Sequence, residues 1–231
     1  MNRFDVERLC AWAGVAAIVL FFGGFICADF IPPPSPSFTV PQVASFYQAH
    51  SFGIRIGMLM MLTSGMFMAP FTAVISAQLG RIADISPAMV YGQLVIGAAN
   101  CLFFFIPAVL FLVTAYRPDR PPELTYMLND LSWIMAVLPW PPACMQSLII
   151  GLAVINDRAA SPVFPRWVAY LNFWIAIGFT SASVLVFFKA GPFAWSGLVP
   201  FWFAGTIFVV WFVMMVVTVL QAIGRQKLAQ A

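Results

Sequence analysis

Charged side chains are missing from six long stretches of this chain: Leu9–Ala28, Ile56–Gly80, Ile85–Tyr116, Leu131–Asn156, Trp167–Phe188 and Ala190–Gly224. No other feature constrains the fold as much. Each stretch holds at least the ~20 residues that, at ~1.5 Å rise, cross a hydrocarbon core ~30 Å thick. The 231 residues are 62% hydrophobic and 8% charged, against about 45–50% and about 25% in soluble domains. A water-soluble fold of this size cannot hide so much apolar side chain. Soluble enzyme, disordered chain, collagen and secreted disulfide scaffold are excluded. The expected fold class is all-α: a polytopic transmembrane bundle of six helices forming one integral membrane domain over 1–231. Its spans fall near 9–31, 56–79, 89–116, 131–156, 167–188 and 198–223.

Orientation follows from the basic residues. Six spans put both termini on one side. With the termini inside, Arg3, Arg8, Arg81, Arg158, Arg166, Arg225 and Lys227 are cytoplasmic, and Arg55, Arg117, Arg120 and Lys189 lie outside. The seven-to-four split favours cytoplasmic termini by the positive-inside rule. The first window reads as a retained helix: its acidic Asp5 and Glu7 and its 20-residue apolar run do not suit a signal peptide. A net charge of +3 is too mild to imply nucleic acid. The lipid bilayer is the partner the sequence demands.

Prolines mark the departures from plain helix. Pro32-Pro33-Pro34-Ser35-Pro36 is a stiff spacer after helix 1. Thr39 then fits as N-cap of a short helix, Val40 to about His50, whose Val43, Phe46, Tyr47 and His50 recur at helical spacing. The expectation is a short interfacial helix lying flat after helix 1, with Arg55 opening helix 2. In helix 4, Pro139-Trp140-Pro141-Pro142 removes backbone donors near mid-span. Two half-helices, about 122–138 and 143–156, are expected, their break facing the bundle interior.

Few motifs carry chemistry. Met58, Met60, Met61, Met66 and Met68 invite a Cu(I) site. Members two apart point to different helix faces, so packing is the better reading. His50 is the only histidine, which leaves a bis-histidine haem without its second ligand. Cys10, Cys27, Cys101 and Cys144 show neither a CxxC pair nor metal-ligand spacing. No metal or cofactor is expected, and with no nucleophile motif or paired intramembrane carboxylates, no enzymatic activity.

What remains is polar residues at membrane depth. Gln93, Asn100, Gln146 and Asn172 need partners in hydrocarbon, either as glue between helices or as lining of a small pocket beside the proline break. Asp130, with Asn129, Tyr126 and Trp133, either lines an outer pocket or is a helix-end carboxylate paired with Arg55, Arg117 or Arg120. The expected ligand-binding set is Asp130, Asn129, Trp133 and Trp140 with Gln93 and Asn100, and Tyr47, His50 and Arg55 at an outer mouth.

Thr39-Val40-Pro41-Gln42-Val43-Ala44-Ser45-Phe46-Tyr47 leads into Arg55-Ile56-Gly57, and Phe164-Pro165-Arg166-Trp167-Val168-Ala169-Tyr170-Leu171 opens a later helix. This layout resembles uncharacterised bacterial six-helix membrane proteins, grouped as a domain of unknown function and common in actinobacteria and proteobacteria. The resemblance implies a bacterial inner-membrane location and brings no catalytic residues. Two functions stay open. One is binding or passage of a small apolar or amphipathic molecule. The other is a non-catalytic structural or assembly subunit, with helix 6 docking a membrane protein partner or a second copy. An integral-membrane enzyme acting on lipid ranks below both, for want of acid–base and metal groups.

Overall fold

The computed structural model describes residues 2–230, and they are all-helical, with six helical units long and apolar enough to cross a membrane. Helix α1 is Arg3–Cys27, α2 Val40–Met66 and α3 Met68–Leu79; α4 is Pro87–Ala99 and α5 Leu102–Tyr116. Helix α6 is Pro122–Val137 and α7 Pro141–Ile155; α8 is Arg166–Phe179, and α9 is Ala204–Ala229. A 3₁₀ stretch, Thr180–Phe187, continues α8, and a π-helical turn, Leu198–Phe203, leads into α9. The units are therefore α1, α2–α3, α4–α5, α6–α7, α8 with its 3₁₀ extension, and α9 with its π turn. This is a multi-pass membrane protein.

Five of the six units are jointed, the last by its π turn. Pro70 has no N–H for the Met66 carbonyl, and the chain tightens at Phe67, whose N–H reaches back only to Ser64. At Asn100 and Cys101 the chain tightens again, Cys101 N–H binding Ala98 O at 3.0 Å. Between α6 and α7, Pro139 and Pro141 leave the Met135 and Val137 carbonyls without α-helical donors, and Trp140 N–H turns to Leu138 O at 2.6 Å. After α8 the run Thr180-Ser181-Ala182-Ser183 slackens into 3₁₀, Thr180 Oγ1 donating back to Ile177 O.

The short interfacial helix after α1 does not exist as a separate element. Val40–His50 forms the first turns of α2, which runs unbroken through Arg55 to Met66. Gly53 does not interrupt it, because there α2 presses on α1: a Cβ on Gly53 would lie 2.5 Å from the Cys27 carbonyl oxygen. One face of the segment is buried through Val43, Ala44 and Tyr47, while Pro41, Gln42, Ser45, Gln48 and Ala49 are exposed. Gln42 starts the helix by accepting from Thr39 N–H at 2.7 Å. With α3 the unit has 40 residues, about 60 Å at ~1.5 Å per residue, far more than a hydrocarbon core needs. Its first turns therefore stand clear of the core on the side away from the termini. They pack there against the start of α6 and the Ile31–Phe38 loop, with Phe30, Phe46, Phe111 and Trp133 in one aromatic cluster.

Two glycines set the α1–α2 distance. A Cβ on Gly57 would lie 2.1 Å from Gly24 O, and one on Gly24 would lie 2.4 Å from Gly57 O. Backbones meet directly, as small residues permit where lipid offers no hydrophobic drive for association. Deeper, α9 gives one face to the core and the other to the outside. Trp211, Phe212, Met214, Met215, Val216 and Val219 are buried against α1, α3 and α8, leaving Val210, Val213 and Val217 outside.

At the terminal side Glu7, Gln78 and Arg81 together tie three helices. Glu7 of α1 is 9% exposed, accepting from Gln78 Nε2 at 2.9 Å and Arg3 Nε at 2.7 Å. Arg81, just past α3, donates to Gln78 Oε1 and to Ala222 O of α9. Burial pushes the Arg81 guanidinium below its usual range; Glu7 draws it up, and Arg225 and Arg3 push it down again. Because Arg3 is mostly exposed, the Gln78 bond is the costly one to break. Glu7→Ala is expected to lower stability by about 2 kcal/mol, seen as a lower unfolding midpoint in mild detergent, while Arg3→Ala shifts it little.

Candidate functional site

The jointed helices surround a cavity. It has a volume of about 300 Å³ and lies where the α6–α7 joint, the start of the 3₁₀ stretch and the π turn converge. Pro139 and Trp140 come from the first, Ala182 from the second, and Pro200, Phe201 and Trp202 from the third. Phe21 and Phe25 of α1, Phe104 of α5 and Phe208 of α9 supply the rest of an aromatic wall. Phe21 stacks on Phe25 at 4.9 Å and meets Phe104 edge-on at 5.3 Å. The cavity is not sealed: exposed Trp202 and Thr206 edge its mouth with half-buried Phe22. No Asp, Glu, Lys or Arg lines it.

Such a void fits the residues around it. Irregular backbone in a spanning segment is tolerated where it is buried in protein or lines a cavity. Proline supplies two of the three joints with no N–H to satisfy, and Ala182 and Gly205 keep the walls low. The lining is apolar and aromatic with sparse polar atoms, as ligand pockets are, and the volume stands at the lower end of their ~300–1,000 Å³ range.

The nine residues expected to line one site fall in four places. Trp140 borders this cavity. Gln93 and Asn100 belong to a polar chain between helices. Gln93 Nε2 and Gln146 Nε2 both donate to Thr72 Oγ1, at 3.0 and 3.3 Å, Ser76 Oγ donates to Gln93 Oε1, and Asn100 Nδ2 donates to Gln146 Oε1 at 2.6 Å. This glue joins α3, α4 and α7. Asn172 stands apart, taking a hydrogen bond from Trp211 Nε1 at 3.1 Å. The third place is where the first turns of α2 meet α6. Tyr47 OH donates to Asn129 Oδ1 at 3.2 Å, and Asn129 Nδ2 lies 3.4 Å from Asp130 Oδ1. Trp133 is fully buried beneath them, its Nε1 without a partner.

The fourth place lies further along α2. His50 Nε2 lies 3.1 Å from Asp29 Oδ2, its Nδ1 meets Phe46 O at 2.9 Å, and its ring stacks on Phe46. These are local ties, and the cavity lining does not include His50. Arg55 donates to Ser51 O of its own helix. Arg120 donates to Val113 O and Arg117 O, capping the end of α5. Among the described residues, Arg3–Glu7 and His50–Asp29 are the ion pairs, so Asp130 has no arginine partner.

The methionines pack. Met58, Met61 and Met68 are buried in the core and Met66 faces outward. Among the described residues no three His, Cys, Asp or Glu side chains gather where a metal could sit. Sequence reasoning missed most of the cavity wall, Phe21, Phe25, Phe104 and Phe208 above all. Their only signal was the abundance of phenylalanine, which lipid-facing positions share. Comparison with protein-family models, with curated proteins and with solved structures finds no match.

Proposed function

We propose that this is a bacterial inner-membrane protein, with cytoplasmic termini, that binds or passes a small apolar or amphipathic molecule taken up from the bilayer. The observation that carries the reading is the 300 Å³ aromatic cavity at the convergence of three irregular backbone segments. Broken helices around a cavity are where transporters bind their cargo, and a π turn in a helix is frequently a functional feature. The mouth lies within spanning segments, so lipid-soluble molecules reach it directly. Arginine placement supports the orientation: Arg3, Arg81 and Arg225 gather at the terminal side. The alternative, a non-catalytic subunit docking through the last unit, is supported by the exposed apolar face that Leu198, Trp202, Phe203, Val210, Val213 and Val217 leave there.

Gly205 gives a clean test. It lines the cavity, and a Cβ there meets nothing within 4 Å. Gly205→Phe fills the void and, as a helical glycine replaced, gains roughly a few tenths of a kcal/mol of propensity. Native mass spectrometry with lipid extraction is expected to find a small molecule retained by the wild type and lost from this variant, whose unfolding midpoint is held or raised. A wild type that carries nothing and gains no stability from added apolar compounds would overturn the reading.

A further inference from the structure

The apolar cavity has a polar recess. A second void of about 30 Å³ adjoins it, the two sharing Phe103, Phe104, Ala143, Phe179 and Phe208 as walls. Asn100, Gln146 and Ser147 line the recess. Two polar atoms of these residues have no partner, Asn100 Oδ1 and Ser147 Oγ, although the residues are only 4% and 1% exposed. The Asn100 amide nitrogen is already committed to Gln146, whose own nitrogen is committed to Thr72. The Asn100 carbonyl is left as a free acceptor, and the Ser147 hydroxyl as a free donor and acceptor. Buried polar groups in native proteins are nearly always paired, so two orphans beside one void point to something that pairs them.

We infer that the recess is the head-group subsite of the cavity, and that the ligand is an uncharged apolar molecule ending in a hydroxyl. This rests on the pocket reading above and narrows it. A hydroxyl donates to Asn100 Oδ1 and accepts from Ser147 Oγ–H, satisfying both orphans at once. A ketone or ether oxygen accepts from Ser147 and leaves Asn100 unpaired. A hydrocarbon leaves both. An ionised head finds no counter-charge, because no Lys, Arg, Asp or Glu lines either void. The recess exceeds the roughly 10–15 Å³ that one water-sized group requires, and it is too small for a bulky head such as a phosphate.

The test compares ω-bromodecanol with bromodecane in the protein reconstituted into lipid nanodiscs, at equal mole fraction in the lipid. Bromine quenches nearby indoles, and Trp140 borders the cavity while Trp211 borders the recess. Both probes are expected to quench saturably, the alcohol binding about tenfold tighter from its two added hydrogen bonds. Ser147→Ala keeps the bond to Asn100 Oδ1 and is expected to cut that preference to about threefold, with the unfolding midpoint unchanged, since its hydroxyl has no partner to lose. Asn100→Leu gives the same loss of preference where it folds. Equal affinities in the wild type, or a Ser147→Ala protein that keeps the full tenfold preference, would overturn the hydroxyl subsite and show that water fills the recess. Failure of either probe to saturate, or saturation that survives Gly205→Phe, would instead overturn the pocket reading itself.

Discussion

Gly57→Leu will part α1 from α2. The first atom of the new side chain falls 2.1 Å from the Gly24 carbonyl oxygen and 3.0 Å from the Ala28 nitrogen, both backbone. A flexible side chain yields to such an intrusion, but two helices can yield only by separating. The contact is among the most extensive in the fold, and it supports the aromatic cluster of Phe25, Phe30 and Trp133. Overpacking costs typically 1–3 kcal/mol where side chains can repack; here the loss is expected at about 3 kcal/mol or more. Unfolding in mild detergent reads it as a large drop in midpoint. Gly205→Ala is the control: it adds the same atom to open space and should leave the midpoint level or raised. Equal midpoints for the two variants would show that the α1–α2 approach is not a close one in solution.

Gly97→Ala attacks the polar chain instead. A Cβ at Gly97 falls 1.8 Å from Thr72 Oγ1 and 2.7 Å from Gln146 Nε2. Thr72 is the acceptor on which Gln93 and Gln146 converge, so displacing it leaves two buried amides under-satisfied. Each orphaned group costs about 1–3 kcal/mol, and a total near 3 kcal/mol is expected. Because the closest clash is with one oxygen, the cost is not additive with removal of that oxygen. In a Thr72→Ala background, where the contacts with Gln146 Nε2 and the residue 72 Cβ remain, Gly97→Ala should still cost less than in the wild type. Full additivity in that double-mutant cycle would place the cost elsewhere than at Thr72.

Much of the architecture is legible in the sequence because charge is so expensive in hydrocarbon. The gaps between Arg8 and Asp29, or between Arg166 and Lys189, are long enough for a helix and for little else. The pairing of Gln93 with Asn100 is also readable: seven residues apart, they share a face, and both enter the network around Thr72 and Gln146. The cavity is harder to read. In a soluble protein an inward phenylalanine contrasts with an outward lysine. Here inward Phe104 and outward Val109 are equally apolar, and periodicity carries almost no contrast between core and lipid. The continuity of α2 is hidden for a related reason. Gly53 reads as a weak point in a helix until the Cys27 carbonyl is seen against it. Glu7 looks like a solvated residue of the first turn because nothing local announces that Gln78 lies 71 residues away.

The position of the cavity mouth fixes the thermodynamic variable that governs occupancy. Trp202, Thr206 and Phe22 all belong to spanning segments, and under the proposed function the opening faces the acyl phase and not the aqueous one. A ligand arriving there has already left water, and the gain from leaving it is spent in partitioning rather than at the protein. Site affinity is then set by shape and by the few hydrogen bonds the bilayer cannot supply. Saturation should track moles of ligand per mole of lipid, and a titration repeated at twice the lipid will shift in total concentration while superimposing on that ratio.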